Sequence, residues 1–480
     1  MKNIIKKIFC LGIVAVFFFT ASVTISAKNI GINREDFDPL VDIEVTVEIQ
    51  KIRAFDKEDK QLHRREYIDA TSDPDFYVKL FINNEEFVSD TWEDTKYIYN
   101  SPFSATLDVA DDQEFVDITI QLWDWNADGD KLCDIGDEND DVDLTYSIKT
   151  GHWTGDDQRE DPSGYGRLNG CDDGSIYQHD LDCELWFNIY QNDYDEDHIP
   201  YWIEVYEYGS DPEIDNTGDD DDSDDVPFEW EWKWGYNPYE SENHAILDPD
   251  GDSIDNVEEY LTCDTGSDPF RKDLFIELDQ MQEGPSGEPV SLLPEQSKEI
   301  LNTAYDRQNI VYHLDDGSWA NSGSEMIPFD VETNRGELNS IYSSYFLNGD
   351  DWRLGVFHYG VVVYQYSEVD GCMFGSNRFQ ISSHGLEETA NKPFMQRDVV
   401  YASAYMHETG HTFGFWPIPG HNRLSAYPWQ IGWWINRPYK SCMNYGYMYY
   451  TVDYSDGSRR FIDLDDWTRM DMSYFEDQWN

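Results

Sequence analysis

Basic side chains are scarce in this 480-residue chain. Only 33 Lys and Arg stand against 98 Asp and Glu, which gives a formal net charge of −65. A surface of this kind repels nucleic acid and anionic membranes at long range, so a nucleic-acid partner is excluded and cations are the natural partners. Aromatic residues make up 15% of the chain, whereas acidic disordered chains are poor in them. We therefore expect the charge to decorate folded domains.

Cysteine is also sparse, with seven residues in the chain. One of them, Cys10, lies in the N-terminal apolar run, and the others are Cys133, Cys171, Cys183, Cys263, Cys372 and Cys442. Without Cys10, six cysteines remain. An even number of cysteines in an exported protein permits disulfides without requiring them. Cys171 and Cys183 lie in one short loop-rich stretch and are the predicted local pair; the sequence does not indicate how the rest pair.

Long apolar runs are missing except at the N-terminus. There the basic stretch MKNIIKK is followed by an apolar run of about 18 residues and by SAK. This pattern predicts an export signal over residues 1–27 and a secreted, extracellular protein. The run is close to the shortest length that spans a bilayer, so an uncleaved cell-surface anchor is the alternative. Otherwise, membrane contact would require calcium to bridge the acidic surface to lipid.

The composition divides the remaining chain into three regions. Residues 38–190 alternate apolar and polar side chains as strands do, which predicts an all-β sandwich. Residues 191–269 form an acidic segment, in which the stretch 191–260 holds 25 Asp and Glu against a single Lys, Lys233. Residues 270–480 mix strands and helices and predict an α/β (α+β) domain. The fold class is thus multidomain, as the chain length also suggests.

The acidic segment contains three repeats that start 27 and 28 residues apart. Each has carboxylates at loop positions 1, 3 and 5 and a Glu at position 12: Asp193, Asp195, Asp197 and Glu204; Asp220, Asp222, Asp224 and Glu231; Asp248, Asp250, Asp252 and Glu259. A YGSDP, WGYNP or TGSDP turn follows each loop. Calcium takes six to eight oxygen ligands, which this pattern supplies. The alternative is an acidic solubilising linker, but random acid runs do not keep the position-12 Glu or the turn.

These repeats resemble the calcium-binding repeats of the thrombospondin type 3 kind. The resemblance covers about 80 residues and lies in the pattern rather than in detail, since His198 stands where the first loop usually has a glycine. It implies a connector that calcium stiffens, with a structural rather than a catalytic role.

The N-terminal region carries two acidic loops, one before and one after a predicted strand. The stretches 72–82 and 116–136 resemble the calcium-binding β-sandwich of the C2 type, in which such loops meet at one tip. The matching residues are Asp73, Asp75, Asp124, Asn126, Asp128 and Asp130. The resemblance implies an N-terminal calcium site and a binding or positioning domain. The alternative is an unrelated sandwich with acidic loops.

The stretch AYMHETGHTFGFWPIPGHN, residues 404–422, contains the pattern HExxH. On a helix, His407 and His411 share one face and can bind zinc, with Glu408 beside them. Gly414 stands where the helix must end in a residue that tolerates positive φ. Further along, Ser441, Met443 and Tyr445 form the pattern S-x-M-x-Y.

Together these parts resemble the metzincin zinc endopeptidases, whose pattern is HExxHxxGxxH followed by a turn that contains Met. The resemblance implies that His407 and His411 bind zinc and that Glu408 is the general base. It further implies that Met443 lies beneath the metal and that Tyr445 is a fifth ligand or stabilises the oxyanion. The aromatic segment 427–439 would wall the substrate cleft, with core packing as the alternative.

The chain departs from the metzincin pattern at the third ligand. Pro417 occupies the expected position and cannot bind zinc, and the next histidine is His421. The prolines and Gly420 could shape an enlarged loop that returns His421 to the metal. The alternatives are a later carboxylate, Asp463 or Asp466, or no third ligand.

Two functions are compatible with this sequence. The first is a secreted, calcium-stabilised zinc endopeptidase that acts on a protein or peptide substrate. The alternative is a catalytically inactive relative that serves as a calcium-dependent surface-binding or adhesion protein. Retention of Glu408 favours the enzyme, because a binding protein has no physical need for the acid that activates water.

Overall fold

The structure is a computed structural model in two compact units. It describes residues 43–474 except for 56, 60–63, 67, 69–71, 111–112, 137–138, 158–165, 170–180, 347–350, 367–368 and 460–461. The first unit spans residues 1–56, 66–247 and 256–266, and the second spans 57–65, 248–255 and 267–480. The acidic repeats are therefore divided between the two units and do not form a third.

Two antiparallel sheets build most of the first unit. The strands of this part of the chain are β1 (Ile43–Ala54), β2 (Lys57–Asp59), β3 (Arg64–Glu66), β4 (Phe76–Ile82), β5 (Glu85–Val88), β6 (Tyr97–Tyr99), β7 (Ser104–Val109), β8 (Phe115–Asp124), β9 (Lys131–Cys133), β10 (Val142–Ser147), β11 (Trp153–Gly155), β12 (Gly166–Asn169) and β13 (Cys183–Gln191). One sheet has the order β12-β13-β1-β6 with β7 on β1, and the other has β11-β10-β8-β4-β5 with β9 on β8. Strands β2 and β3 pair with each other in a two-stranded sheet, and residues 57–65 belong to the second unit.

The sandwich follows from period-two patterning. Along β8, buried and less buried side chains alternate, and Val116, Ile118, Ile120 and Leu122 face the core. These residues join those of β1, β4 and β13 in one apolar cluster, because successive side chains of a strand point to opposite faces. The all-β prediction for residues 38–190 is confirmed for the described part of that range.

Residues 192–272, all of them described, contain only loops and short helical turns. These are a π-helix (Ile203–Tyr208), helix α1 (Phe228–Lys233), a 3-10 turn (His244–Ile246), helix α2 (Asn256–Thr262) and a 3-10 turn (Cys263–Thr265). Each repeat thus has an acidic loop, then a short helix with the position-12 Glu, then a left-handed glycine. The three glycines, Gly209, Gly235 and Gly266, have φ of 74°, 77° and 88°.

A mixed sheet forms the centre of the second unit. Its strands are β14 (Asp273–Met281), β15 (Val311–Asp315), β16 (Met326–Ile327), β17 (Phe357–Val363), β18 (Gly371–Gly375) and β19 (Arg378–Ser382), in the order β15-β14-β17-β19-β18 with β16 on β14. The helices are α3 (Glu295–Asp306), α4 (Arg335–Ser344), α5 (Ser383–Ala390), α6 (Arg397–Thr412), α7 (Ile431–Asn436) and α8 (Asp466–Arg469), with a 3-10 turn at Asp351–Arg353. All pairings are parallel except that of β18 with β19.

Helix α6 carries the HExxH pattern through the interior of the second unit. Every residue from Val399 to Thr412 is buried, and several belong to the apolar cluster that the helix shares with β14 and β19. Helix α5 separates it in the chain from the sheet edge formed by β18 and β19. A helix that is buried all round fixes its side chains by packing rather than by amphipathic orientation at a surface.

Two sequence predictions fall outside the described residues. The export signal over residues 1–27 is one, and the Cys171–Cys183 pair is the other, because Cys171 is not described. Among the residues that are described, no helix is long and apolar enough to cross a membrane.

Candidate metal centres

Three histidines converge at the C-terminal end of helix α6. His407 and His411 lie one turn apart on the helix, with ring centroids separated by 5.0 Å. His421 reaches them from the following loop, and its ring centroid is 5.1 Å from that of His407 and 4.9 Å from that of His411. The three imidazoles each offer a nitrogen, and these nitrogens lie within 4.8 Å of one another. The structure therefore brings together the three residues that the sequence proposed as zinc ligands.

The loop between His411 and His421 turns twice through left-handed glycines. Gly414 has φ of 72° just after the helix ends, and Gly420 has φ of 78° just before His421. The Trp416–Pro417 peptide is cis, and the Trp416 ring stacks on His411 with centroids 5.5 Å apart. The Tyr445 backbone N–H donates to Gly420 O at 3.4 Å. The two proline-containing turns thus form the enlarged loop that the sequence required for a displaced ligand.

The tautomer of His407 suits metal binding. Its Nδ1 lies 2.8 Å from the carbonyl oxygen of Cys442, which assigns the ring proton to Nδ1 and leaves a lone pair on Nε2. This Nε2 lies 3.2 Å from Nε2 of His421. Burial lowers the pKa of His407 to about 3, and burial with the neighbouring imidazoles lowers the pKa of His411 well below its usual range. Neutral imidazoles with converging lone pairs fit a zinc ion held by three protein ligands.

Glu408 is buried next to the sheet edge. Its side chain is 4% exposed, and burial raises its pKa to about 8 although the Met373 backbone N–H donates to it. A methyl group added at Gly371 would lie 2.5 Å from Glu408 Oε1, so the carboxylate packs directly against β18. A carboxylate with a raised pKa can accept and return a proton near neutral pH.

Met443 packs against helix α6, and Tyr445 lies beside the histidine rings. Met443 is fully buried, and a methyl group at Gly410 of helix α6 would lie 2.6 Å from its Sδ. The ring centroid of Tyr445 is 4.4 Å from that of His421 and 5.7 Å from that of His407. Burial and then the Glu408 charge raise the pKa of Tyr445, so its hydroxyl keeps its proton at neutral pH.

The two alternative carboxylate ligands are engaged elsewhere. Asp466 accepts from the Tyr439 hydroxyl at 2.7 Å, and Asp463 accepts from the Ser455 hydroxyl at 2.6 Å. The structure therefore brings His421, and neither aspartate, to the histidines of the helix. The reason is local, since both aspartates close the turn between residues 455 and 466.

The aromatic segment 427–439 is largely on the surface. Trp429 is 78% exposed and Trp434 is 56% exposed, and helix α7 has no buried residue. Core packing is therefore the wrong interpretation for these side chains, although Tyr439 is buried. Exposed apolar side chains so close in sequence to His421 provide a surface that an apolar ligand could contact.

We expect Gly420→Ala to weaken zinc retention about tenfold. The left-handed backbone costs about 1–3 kcal/mol for a residue with a Cβ, and each 1.4 kcal/mol is about tenfold in an equilibrium constant. The new methyl group would also lie 2.1 Å from Asn444 Oδ1. Asn444 cannot easily yield, because its amide donates to the carbonyls of Asn436 and Tyr439. Zinc competition with a chelator measures the change.

The matched control for this substitution is Gly287→Ala. Gly287 also has a positive φ, of 100°, but a Cβ there would meet no atom within 4 Å. It carries a similar backbone strain far from the histidines in sequence. Equal loss of zinc from both variants would contradict the inference that Gly420 shapes the loop that positions His421.

The acidic loops share one backbone design. In all three, positions 4 and 6 have positive φ: Glu196 and His198, Ser223 and Asp225, Gly251 and Ser253. The position-1 Asp accepts from the backbone N–H of both these residues, at distances from 2.7 to 3.4 Å. The position-5 Asp accepts from the residue two further on, at 2.8 to 3.4 Å. Positions 1 and 5 therefore build the turn, and the left-handed His198 does what a glycine usually does.

The position-3 and position-12 carboxylates of the first two loops accept fewer hydrogen bonds than those at positions 1 and 5. Both oxygens of Asp195 and of Asp222 are buried without a hydrogen bond, and so are those of Glu231. In the third loop, the same is true of one oxygen of Asp250. Burial and neighbouring carboxylates raise the pKa of Glu204 to about 8 and that of Asp250 to about 9. Buried carboxylates of this kind need a cation, so each loop is an acidic group that could hold a metal ion.

The third loop lies in the second compact unit, whereas its position-12 residue, Glu259, lies on helix α2 of the first. Within its own unit the loop is anchored to the sheet, because the Asp273 backbone N–H donates to Asp252 Oδ2 at 2.6 Å. Sequence reasoning also missed His244, which joins the second loop from 24 residues beyond Asp220. A lone histidine in an acidic segment gave no signal of this contact.

The N-terminal carboxylates meet, but protein donors occupy them. Asp124 accepts from the Asp75 backbone N–H at 3.0 Å and from the Asn126 amide at 2.6 Å. Asp130 accepts from the Tyr77 hydroxyl at 2.8 Å. Two further predicted residues differ: Asp73 pairs with Lys96 at 3.5 Å, and Asp128 is exposed. Asp75, Asp124, Asn126 and Asp130 thus lie at one end of the sandwich as predicted from the sequence, but in a hydrogen-bonded arrangement.

No protein-family model matches the chain, and no curated protein matches it. Among solved structures, the chain is similar to human GIVD cytosolic phospholipase A2, with 16% identity, a TM-score of 0.19, and coverage of 32% of this chain and 17% of that chain. It is also similar to a C2 domain (12% identity, TM-score 0.19, 31% and 98% covered) and to the paired C2 domains of extended-synaptotagmin 2 (13%, 0.20, 32% and 43%). The chain spans about a sixth of the phospholipase.

Proposed function

We propose that this protein is a secreted zinc-dependent endopeptidase that calcium stabilises. The observation that carries the proposal is the meeting of His407, His411 and His421 with a buried acid, Glu408, beside them. Three imidazoles leave one coordination position open, which distinguishes a catalytic from a closed structural zinc site. Retention of the acid favours the enzyme over an inactive surface-binding relative.

The chemistry divides among a few side chains. A zinc ion held by His407, His411 and His421 would activate water as a nucleophile and polarise the substrate carbonyl. Glu408 takes the proton of the attacking water and later delivers a proton to the departing amine. Tyr445 remains protonated, and its hydroxyl donates a hydrogen bond to the developing oxyanion. The Cys442 carbonyl holds the His407 ring in the required tautomer.

The sheet edge next to Glu408 supports a peptide substrate. β18 is the last strand in the sheet order, and its Gly371 and Met373 pack against the Glu408 carboxylate. An extended peptide can add to such an edge as a further strand, with main-chain hydrogen bonds for affinity. Trp429 and Trp434 would then offer an apolar wall to substrate side chains beyond the cleaved bond.

We further propose a positioning role for the N-terminal domain and a structural role for the repeats. The domain would be a C2-type sandwich whose polar end holds Asp75, Asp124 and Asp130. The repeats would bind calcium through their buried carboxylates and stiffen the chain between sandwich and peptidase. Unpaired buried carboxylates support this role, because they destabilise the folded loops until a cation arrives.

The test is zinc content and casein cleavage in the wild type and in His421→Ala. We expect about one zinc per chain at this site and cleavage that a chelator abolishes, and we expect the variant to lose both, because a two-ligand site holds zinc poorly. The half-buried His384, which lies 3.7 Å from Glu388, gives the control His384→Ala. Zinc-free, inactive wild type would refute the peptidase. Full zinc and activity in His421→Ala would refute only the third ligand.

A further inference from the structure

His244 is the one imidazole that the structure buries against an acidic loop among the described residues. It lies in the 3-10 turn His244–Ile246 and is 0% exposed, with its ring edge-on to Tyr236 at 4.9 Å between centroids. Its Nε2 is 3.2 Å from Asp224 Oδ2 and 3.7 Å from Glu231 Oε1. One atom from each of these three side chains lies within 4.8 Å of the others.

Several polar atoms around this imidazole have no hydrogen-bond partner. They are His244 Nε2, both Glu231 carboxylate oxygens, both Asp222 carboxylate oxygens and Asn256 Oδ1. His244 Nε2 lies close to Asp224 Oδ2, but the two atoms do not have hydrogen-bond geometry. Buried polar groups are normally paired, so a concentration of unpaired atoms at one point indicates a missing ligand.

The orientation of Asn256 is consistent with a metal-binding tautomer. Its Nδ2 lies 2.9 Å from His244 Nδ1, while its Oδ1 is buried without a partner. The two ends of an asparagine amide are assigned from the hydrogen-bond network rather than observed. Exchanging them lets Oδ1 accept from Nδ1–H, which leaves the Nε2 lone pair of His244 on the side of Asp224 and Glu231.

We propose that Asp224, Glu231 and His244, with Asp222 as a fourth donor, bind a divalent transition-metal ion such as Zn²⁺. Calcium takes oxygen ligands, whereas an imidazole among carboxylates suits zinc and other transition ions. The second repeat therefore differs in metal from the first and third. Those repeats have no histidine in the equivalent segments 214–219 and 270–275.

The experiment measures zinc in the full chain after dialysis into buffer with excess calcium. A His407→Ala/His411→Ala background removes the proposed peptidase zinc, so that the second-repeat site is counted alone and independently of catalysis. We expect one zinc per chain in this background and none after His244→Gln is added. The calcium content of the first and third loops stays unchanged.

The matched control is His152→Gln in the same background. His152 is a largely buried imidazole of the same unit, stacked on Trp232 at 5.4 Å, and its Nε2 lies 3.2 Å from the Lys233 carbonyl oxygen. Among the described residues it forms no ion pair with a carboxylate, so its loss leaves zinc binding unchanged. A change in zinc content for both variants would mean a general packing effect and would overturn the proposal.

Two further variants keep the test decisive if His244→Gln does not fold, as judged by tryptophan fluorescence. Glu231→Gln keeps the shape of a proposed ligand and should abolish zinc retention. Asn256→Ala removes the partner of Nδ1 without touching a proposed ligand and should weaken zinc binding about 10- to 100-fold. Zinc absent from the folded background, or retained with unchanged affinity in these variants, overturns the proposal, because His244 would then be an imidazolium paired with Asp224.

Discussion

We expect Glu408→Gln to lower the rate of peptide-bond cleavage by about 10²- to 10⁴-fold, the range that a positioned general base contributes. The amide keeps the size and the packing of the side chain against Gly371, but it cannot accept a proton from water. We expect the zinc content to stay at the wild-type value, because the proposed zinc ligands are His407, His411 and His421 and do not include Glu408. Cleavage of a fluorogenic peptide, with zinc measured on the same samples, checks both statements.

The control for this prediction is Glu388→Gln. Glu388 lies on helix α5, is largely exposed and, among the described residues, forms an ion pair only with His384, at 3.7 Å. The same chemical change there leaves the rate of cleavage unaltered. Wild-type activity in Glu408→Gln would exclude Glu408 as the base and with it the proposed mechanism. Loss of zinc together with activity would instead indicate a structural role for this side chain.

We expect chelation of calcium to destabilise the acidic repeats and to expose them to proteolysis. A site saturated at about 100 times its dissociation constant stabilises the folded state by about 2.7 kcal/mol, and several sites add to a large shift in melting temperature. The carboxylates repel one another when the cation is removed, since Asp195 and Asp222 have buried oxygens without donors. Thermal unfolding and limited proteolysis, each with calcium or with EGTA, measure the effect.

Asp195→Asn tests the calcium prediction at a single residue. Its effect on the melting temperature is expected to have opposite signs with calcium and with EGTA. With calcium present the substitution removes a ligand and lowers the melting temperature. With EGTA it removes a buried, unpaired charge and raises the melting temperature, as expected when an uncompensated carboxylate is neutralised. Asp211→Asn, at an exposed position in the turn after the first loop, changes neither. A shift of one sign in both conditions would mean that Asp195 does not bind calcium.

Local features of the fold could be predicted from the sequence because they depend on neighbours along the chain. Alternation predicted the strands of the sandwich, and the described part of residues 43–191 is built from strands. The spacing of His407 and His411 fixed their common face, since residues four apart on a helix are one turn apart. The repeat spacing predicted three loops, and all three have the same pattern of positive φ.

The candidate sites themselves were decided by tertiary packing. His421 reaches the helix because Gly420 packs on Asn444, and Asp466 does not because Tyr439 holds it. Nothing in the spacing of these residues distinguishes the two outcomes. His244 likewise joins Asp224 only through the turn that follows helix α1.

The sequence by itself determined the charge of this protein, its strands and helices, its three acidic repeats and the pair of histidines on one helix. Only the tertiary structure decided which side chains complete each site and which carboxylates keep free oxygens for a cation. The reason is physical: periodicity and turn chemistry act over a few residues, whereas a ligand set depends on how distant loops pack. Asp124 and Asp195 show the difference, because similar acidic stretches leave one saturated with hydrogen bonds and the other with none.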